Sequence, residues 1–195
     1  MAIGFKQFVP NLTNYYTFTN GFSDLELEAV ERLADKVQSQ NASVLGSPED
    51  VNEYRRSTIK WLPNNEEYAW IYEKLFHYAE EANNAMWQFN IGDNAENIQY
   101  TIYNSEDAGM YDWHIDCGGT PPVCFRKISI TVQLTGPDEY SGGDLVLKYG
   151  KHDTIIPKNK GRVAIFPSFM LHRVTPVESG TRKSLVLWLG GLPYR

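Results

Sequence analysis

Cysteine, histidine and basic charge are all scarce in this chain, and long apolar runs are missing altogether. The two cysteines, Cys117 and Cys124, are too few for a disulfide framework and have no partner pair for a zinc ribbon. A reducing, cytoplasmic setting is the expectation. No apolar run approaches the roughly 20 residues that cross a bilayer, and mean hydropathy is -0.42, so no membrane partner is expected. Met1 to Pro10 carries one Lys and no apolar core, so no signal peptide is expected either. With a net charge of -6, the chain is poorly suited to binding a phosphate backbone, which argues against a nucleic-acid partner. Repeats, low-complexity tracts and Pro/Gly-rich linkers are absent too, so nothing marks a domain boundary. What remains is 195 residues that are 42% hydrophobic and 13% aromatic, a globular composition that excludes intrinsic disorder. One domain of that length can bury most of its apolar surface unaided.

The pattern changes texture once, near residue 95. Before that point two helices are legible. Ser23-Asp24-Leu25-Glu26 has the form of a capping box, and Leu25, Leu27, Val30, Leu33 and Val37 continue it at helical spacing. Glu66 to Phe89 reads as a second helix, with Trp70, Ile71, Leu75, Tyr78, Ala82, Ala85 and Met86 on one broad face. Ser57 to Leu62 reads as a short strand ended by Pro63. After residue 95 come eight short β-rich runs: Ile98–Tyr103, Tyr111–Ile115, Lys127–Leu134, Asp144–Lys148, Thr154–Ile156, Arg162–Phe166, His172–Pro176 and Ser184–Leu189. Short strands at this spacing suggest a sandwich or jelly roll and argue against a βαβ fold. The glycines of Tyr140-Ser-Gly-Gly-Asp144 suggest a turn or bulge that needs positive φ. The expected fold is α+β, mainly β: a jelly-roll (double-stranded β-helix) core over 96–195, buttressed by a helical support region over 1–95. Together these form one domain over 1–195. Charge divides at the same place, with 7 Lys/Arg against 15 Asp/Glu in residues 1–100 and 11 against 9 thereafter.

Two of the four histidines stand where chemistry is plausible. His114-Ile115-Asp116 lies at the end of an expected strand, where side chains at i and i+2 share a face and can converge on one ion. Alone, that motif reads equally well as a surface His beside a turn Asp. His172 stands at the start of another expected strand, and Arg182 follows it by ten residues, with Ser184 and Trp188 on the same face as Arg182. Two His and one carboxylate form a triad that suits non-haem Fe(II) and leaves coordination positions open. A 2-oxo acid can fill two of them and O₂ a third. The far carboxylate of such a co-substrate calls for a planar, permanently charged fork, which Arg182 supplies, with Ser184 adding a hydroxyl.

These residues carry a family resemblance. HID (114–116), YSGGDLVL (140–147), FPSFMLHRVTPV (166–177) and GTRKSLVLW (180–188) resemble the Fe(II)- and 2-oxoglutarate-dependent dioxygenases, in their prolyl 4-hydroxylase-like (PKHD-type) branch. The likeness spans about Gln99 to Trp188. It implies that His114, Asp116 and His172 bind iron and that Arg182 pairs with 2-oxoglutarate. It implies a co-substrate contact from Tyr103, and places Tyr111 and Trp188 on the substrate side. The implied reagents are Fe(II), 2-oxoglutarate and O₂, with ascorbate as an optional reductant. The implied reaction hydroxylates an unactivated C–H bond and releases succinate and CO₂. Beyond the metal centre, no separate catalytic residue is implied.

The branch favours a prolyl residue in a peptide or protein as substrate. A free amino acid or other small metabolite is the alternative on the same scaffold, and a non-catalytic jelly-roll binding module is the alternative from another class. Three lesser features are open on sequence alone. The polar tract Asn104 to Gly109 reads as a lid or as an ordinary loop. Lys148, Lys151, Lys158, Lys160 and Arg162 read as a solvated hairpin. Cys117 reads as a small hydrophobe beside the site.

Overall fold

The computed structural model describes residues 14–42 and 51–192. Met1 to Pro10, where no signal peptide is expected, lies outside the described residues. In chain order the elements are β1 (Tyr16–Phe18), α1 (Asp24–Ala34), β2 (Gln40–Asn41), α2 (Val51–Tyr54), β3 (Arg55–Arg56), β4 (Thr58–Leu62), α3 (Ala69–Met86), β5 (Ile91–Ala95), β6 (Ile98–Asn104), β7 (Met110–His114), β8 (Arg126–Gln133), β9 (Tyr140–Gly142), β10 (Leu145–Tyr149), β11 (His152–Ile155), β12 (Val163–Pro167), β13 (Leu171–Val174) and β14 (Val177–Gly191).

All pairings are antiparallel. A large sheet runs β1-β12-β8-β14-β6-β4-β2, with β5 and β9 also pairing β14, and a small sheet runs β11-β10-β13-β7-β3. From β6 to β8, and again from β12 to β14, successive strands cross from one sheet to the other. That alternation is the expected jelly roll. The expected helices and strands are present with ends shifted by a few residues, and β14 runs on well beyond Ser184–Leu189. The support region expected to be helical differs more. Besides the expected strand, β4, it supplies β1, β2 and β5 to the large sheet and β3 to the small one. Two- and three-residue strands such as β3 and β1 leave no period to read, so their pairing is set by the neighbouring strands.

Strand alternation gives the large sheet two unlike faces. Ile98 and Tyr100 of β6, Ile128, Ile130 and Val132 of β8, Val163 and Ile165 of β12, and Leu185, Leu187 and Leu189 of β14 form one face. They pack under Val30 of α1 and Ile71, Leu75 and Ala79 of α3 in a single buried cluster. Each helix thus buries its apolar stripe on this sheet. No helix among the described residues is long and apolar enough to cross a membrane. The opposite face carries Gln99, Thr101, Tyr103, Ser129, Thr131, Gln133, Arg182, Ser184 and Trp188, all buried.

The entry to α1 is fastened as its sequence predicts. Glu26 N–H donates to Ser23 Oγ at 3.4 Å, and Ser23 N–H donates to Glu26 Oε2 at 2.8 Å. The Gly-Gly turn after β9 adopts positive φ at Gly142 (68°) and Gly143 (58°). A Cβ at Gly142 would lie 2.2 Å from Pro176 O, so only glycine allows this approach. The tract Asn104 to Gly109 is a pinned turn joining β6 to β7. Gly109 N–H donates to Asn104 O at 2.7 Å, Arg56 Nη2 to Ala108 O at 2.9 Å and Val177 N–H to Gly109 O at 2.9 Å. These bonds favour the loop reading over the lid. Two of the five cations of the basic stretch are paired locally, Lys148 with Asp153 (3.2 Å) and Lys158 with Asp144 (2.8 Å).

Two stability outcomes follow from this packing. Ile130→Ala, at a position fully buried under the helices, is expected to cost about 3 kcal/mol in a urea unfolding titration. A hydrogen bond from Lys74 holds the Glu26 carboxyl down to about 2 from its ordinary 4.5, with further bonds from Ser23. A depressed carboxyl stabilises above its unfolded value and loses that contribution as pH falls through the folded one. Glu26→Gln should therefore cost about 1 kcal/mol at pH 7, and its difference from wild type should shrink between pH 4.5 and about 2.

Candidate metal centre and co-substrate site

The site sits at the join of the two sheets. His114 ends β7 and His172 lies on β13, and the two are direct register partners. Their ring centroids are 4.1 Å apart. Asp116 is not on the strand, because β7 stops at His114. This differs from the expected strand geometry, in which His114 and Asp116 share one face. The carboxylate is brought in by a tether instead: Asp116 N–H donates to Ser168 O at 2.8 Å, in the turn just before β13. The loop doubles back through that bond, and Ile115 is turned out, 48% exposed.

Asp116 Oδ1 lies 3.7 Å from His114 Nε2 and Oδ2 lies 3.4 Å from His172 Nε2. One ligand atom from each of the three residues lies within 4.8 Å of the other two. Both imidazoles are oriented by backbone carbonyls, His114 Nδ1 at 2.7 Å from Asp112 O and His172 Nδ1 at 2.8 Å from Met170 O. A carbonyl can only accept, so each Nδ1 carries a proton and each Nε2 is the nitrogen turned toward the centre. Burial, reinforced by the neighbouring His172, pushes His114 down to about 3, so it is neutral at pH 7. Burial alone would raise Asp116, but the two imidazoles and the Ser129 hydroxyl outweigh it and hold the carboxyl low. Neutral imidazoles and an ionised carboxylate are the protonation states a cation needs. A hard or borderline divalent ion fits this donor set better than a soft one.

A β-bulge arranges the wall. Between His172 and Val174 the β7 register jumps from His114 to Tyr111, so two residues of β7 (Asp112 and Trp113) oppose one of β13 (Arg173). Residues 111 and 114 would face opposite ways in a regular strand. The extra residue turns them to one side, and their rings stack at 3.4 Å between centroids and 15° between planes. Burial raises the Tyr111 hydroxyl to about 12, so it stays protonated.

The inner face of the large sheet forms the floor. Arg182 and Tyr103 are register partners on β14 and β6, and Arg182 Cζ lies 5.4 Å from the Tyr103 ring centroid. Arg182 Nη1 donates to Ser184 Oγ at 3.2 Å, while its Nε is buried with no acceptor. An orphaned buried guanidinium nitrogen beside a hydroxyl is a fitting receptor for a carboxylate. Trp188 stands opposite Ser129 in the β14–β8 register. Its indole N–H helps to lower Asp116 but has no hydrogen-bond partner. The structure thus brings all eight residues singled out by sequence to the adjoining inner faces of the two sheets.

Several contributors were not legible. Ser129 Oγ donates to Asp116 Oδ2 at 2.7 Å and lies 3.0 Å from Ser168 Oγ. Arg126 forks onto Glu96 at 2.6 Å through both Nε and Nη2, donates from Nη1 to Asp116 O at 3.2 Å and lies 3.9 Å over the Trp188 ring. The available signal for Ser129 was the alternation Lys127, Ser129, Thr131, Gln133 along an otherwise Ile/Val-rich strand. Such alternation ordinarily marks a solvated face. Cys117 is half-buried and its thiol is raised by burial, so it is no activated nucleophile.

The two-sheet jelly roll with a convergent His-carboxylate-His set defines the class as a metal-dependent oxygenase scaffold. Residues 98–190 match the family model of the 2OG-Fe(II) oxygenase superfamily. A PKHD-type hydroxylase of Xylella fastidiosa is 38% identical over 99 residues, 50% of this chain and 41% of that protein. One from Colwellia psychrerythraea is 38% identical over 94 residues, 47% and 42% respectively. The aligned part spans about two fifths of the length of these curated relatives. The fold is shared with a Trichoplax adhaerens prolyl hydroxylase solved with a peptide fragment of the hypoxia inducible factor oxygen degradation domain. That match has a TM-score of 0.75 at 18% identity, covering 93% of this chain and 85% of that one. A Pseudomonas putida prolyl-4-hydroxylase gives 0.72 at 17% identity, covering 93% and 95%. The 98–190 region is thus similar to the 2OG-Fe(II) oxygenase superfamily, and the sequence relatives it matches are PKHD-type hydroxylases. Fe(II), 2-oxoglutarate and O₂ are the reagents that this match implies, and the His-Asp-His set fits the metal.

Because Ser129 fixes one oxygen of the carboxylate, Ser129→Ala is expected to weaken divalent-metal affinity about 10-fold. Chelator competition with Mn(II) on the otherwise intact protein measures this.

Proposed function

We propose that this chain is a non-haem Fe(II)- and 2-oxoglutarate-dependent hydroxylase of an unactivated C–H bond, with a prolyl residue in a peptide or protein as its target. The observation that carries the reading is the convergence of His114, Asp116 and His172 beside the buried, acid-free Arg182. When bound, Fe(II) and 2-oxoglutarate supply the oxidising power, one atom of O₂ entering the C–H bond and the other entering succinate as CO₂ leaves.

The remaining work falls to the chain. His114 and His172 present Nε2 and Asp116 its carboxylate. Arg182 and Ser184 receive the far carboxylate of 2-oxoglutarate, with the Tyr103 ring against the guanidinium. Tyr111 and Trp188 wall the substrate side, exclude water and aim the target C–H bond. Trp188 is braced by Arg126 and Trp61, and Tyr111 by Tyr54 and Arg55, so both walls are stiff. A peptide substrate is supported by the Trichoplax relative's complex with a peptide. A free amino acid or other small metabolite is the competing substrate. The unpaired Cys117 and Cys124 fit a reducing, cytoplasmic setting.

Anaerobic addition of Fe(II) and 2-oxoglutarate should produce a visible charge-transfer band, and admission of air should yield succinate. His172→Ala is expected to lose the band, and Arg182→Ala to weaken 2-oxoglutarate binding about 10- to 100-fold. A band unchanged in His172→Ala sinks the metal assignment. Mass gain of one oxygen on free amino acids alone, with none on proline peptides, sinks the peptide assignment.

A further inference from the structure

Among the described residues two arginines are buried, and a 2-oxoglutarate carboxylate accounts for one. Arg182 is 3% exposed and Arg55 is 6% exposed, and neither forms an ion pair with a described carboxylate. Arg182 belongs to the large sheet. Arg55 lies on β3 of the small sheet, in register with Tyr111. Its Nε donates to Ser57 Oγ at 3.0 Å, but its Nη2 is buried with no acceptor. Its Cζ stands 4.5 Å from the centroid of the Tyr111 ring, the ring that stacks on His114. The guanidinium is therefore one aromatic ring away from a metal-site imidazole, and its charge reaches both Tyr111 and His114.

A permanent cation held out of water is unfavourable unless an anion or several acceptors meet it. One serine hydroxyl meets the Nε–H, and the buried Nη2 group has no acceptor. The cation–π contact with Tyr111 offsets part of the desolvation, yet it leaves Nη2 without an acceptor. Neither the metal nor the co-substrate calls for a second guanidinium on this wall.

We propose that Arg55 is a specificity-determining residue that receives a carboxylate of the substrate beside the carbon to be hydroxylated. The inference rests on the hydroxylase reading above. The carboxylate belongs to an Asp or Glu side chain flanking the target residue, or is the terminal carboxylate of a short substrate. The planar fork suits either source.

The test uses the full chain with Fe(II) and 2-oxoglutarate and a set of single-proline peptides. These carry Asp or Glu, Asn or Gln, or Lys next to the proline, or place the proline at a C-terminus that is free or amidated. Wild type should show a KM about 10- to 100-fold lower for carboxylate peptides than for their amides. That preference should vanish in Arg55→Gln, persist in weakened form in Arg55→Lys, and invert toward Lys-flanked peptides in Arg55→Glu. The flanking and terminal series separate the two sources. Titration calorimetry of the same peptides against the Mn(II)-loaded protein reads binding without turnover. Equal affinity of wild type for acid and amide peptides overturns the proposal, as does an undiminished preference in Arg55→Gln. The wild-type comparison stands even where a variant fails to fold. Absence of succinate from wild type under all conditions would instead count against the hydroxylase reading, while calorimetry still decides on Arg55.

Discussion

The register of β7 against β13 is the constraint on which the site depends. It sets His114 directly across from His172, and facing residues on antiparallel strands are the closest side-chain neighbours a sheet provides. A slip of one residue would send one imidazole to the outer face. The bulge beside that pair turns Tyr111 to the same side as His114, and β3 brings Arg55 in register with Tyr111. The third ligand, Asp116, is secured separately through Ser168, in the turn that leads into β13. Both ends of the constellation are thus attached to the same short segment, so the carboxylate cannot drift without carrying the His172 strand with it.

The large sheet divides its labour by parity. Its outer residues bury against α1 and α3, and that contact supplies the hydrophobic stabilisation. Its inner residues are polar and equally buried, an arrangement that is unfavourable unless the groups meet one another. Most do: Gln99 Nε2 bonds Thr101 Oγ1 at 2.8 Å, Gln133 Nε2 bonds the Tyr140 hydroxyl at 3.0 Å, and Ser129 bonds Asp116. The exceptions are informative. Arg182 Nε is buried without a partner beside the Ser184 hydroxyl, and Trp188 Nε1 is buried without a close one on the Asp116 side. Polar groups left unmet on an otherwise satisfied face mark where ligand is to sit.

Much of this is legible in the amino-acid sequence. Strands after residue 95, the capping box, and the His, Asp and Arg of the site each have a local signature: alternation, a four-residue pattern, or short motifs in a fixed order. What was not legible depends on contacts distant in sequence. The polar residues of β8 read as a wet face because alternation reports that two faces differ, and says nothing of what covers each. Asp116 was expected to share a strand face with His114. It reaches the centre through a hydrogen bond to a residue 52 positions away, which no local pattern encodes. Arg55 falls in the two-residue strand β3, and its register partner, Tyr111, is 56 positions on. Glu96 and Arg126 form a bidentate pair only because β14 and its neighbours bring them together.

Charge shows why the average composition misleads about what binds here. The chain is acidic overall, with the excess in residues 1–100, yet Asp116 is the only buried acid among the described residues. The buried cations are Arg182, Arg55 and Lys127; burial lowers the Lys127 ammonium from its ordinary value, and the neighbouring Cys117 opposes that shift. A divalent iron and a doubly charged 2-oxoglutarate cancel one another. Asp116 and one arginine cancel likewise. Positive charge is left over in a low-dielectric site, part of it on the Arg55 guanidinium packed against Tyr111. Water is largely kept from it, so a substrate anion is the simplest group that can balance it. The same excess of acid on the outside would disfavour non-specific capture of acidic peptides. Selection for a carboxylate would then have to come from the buried fork itself.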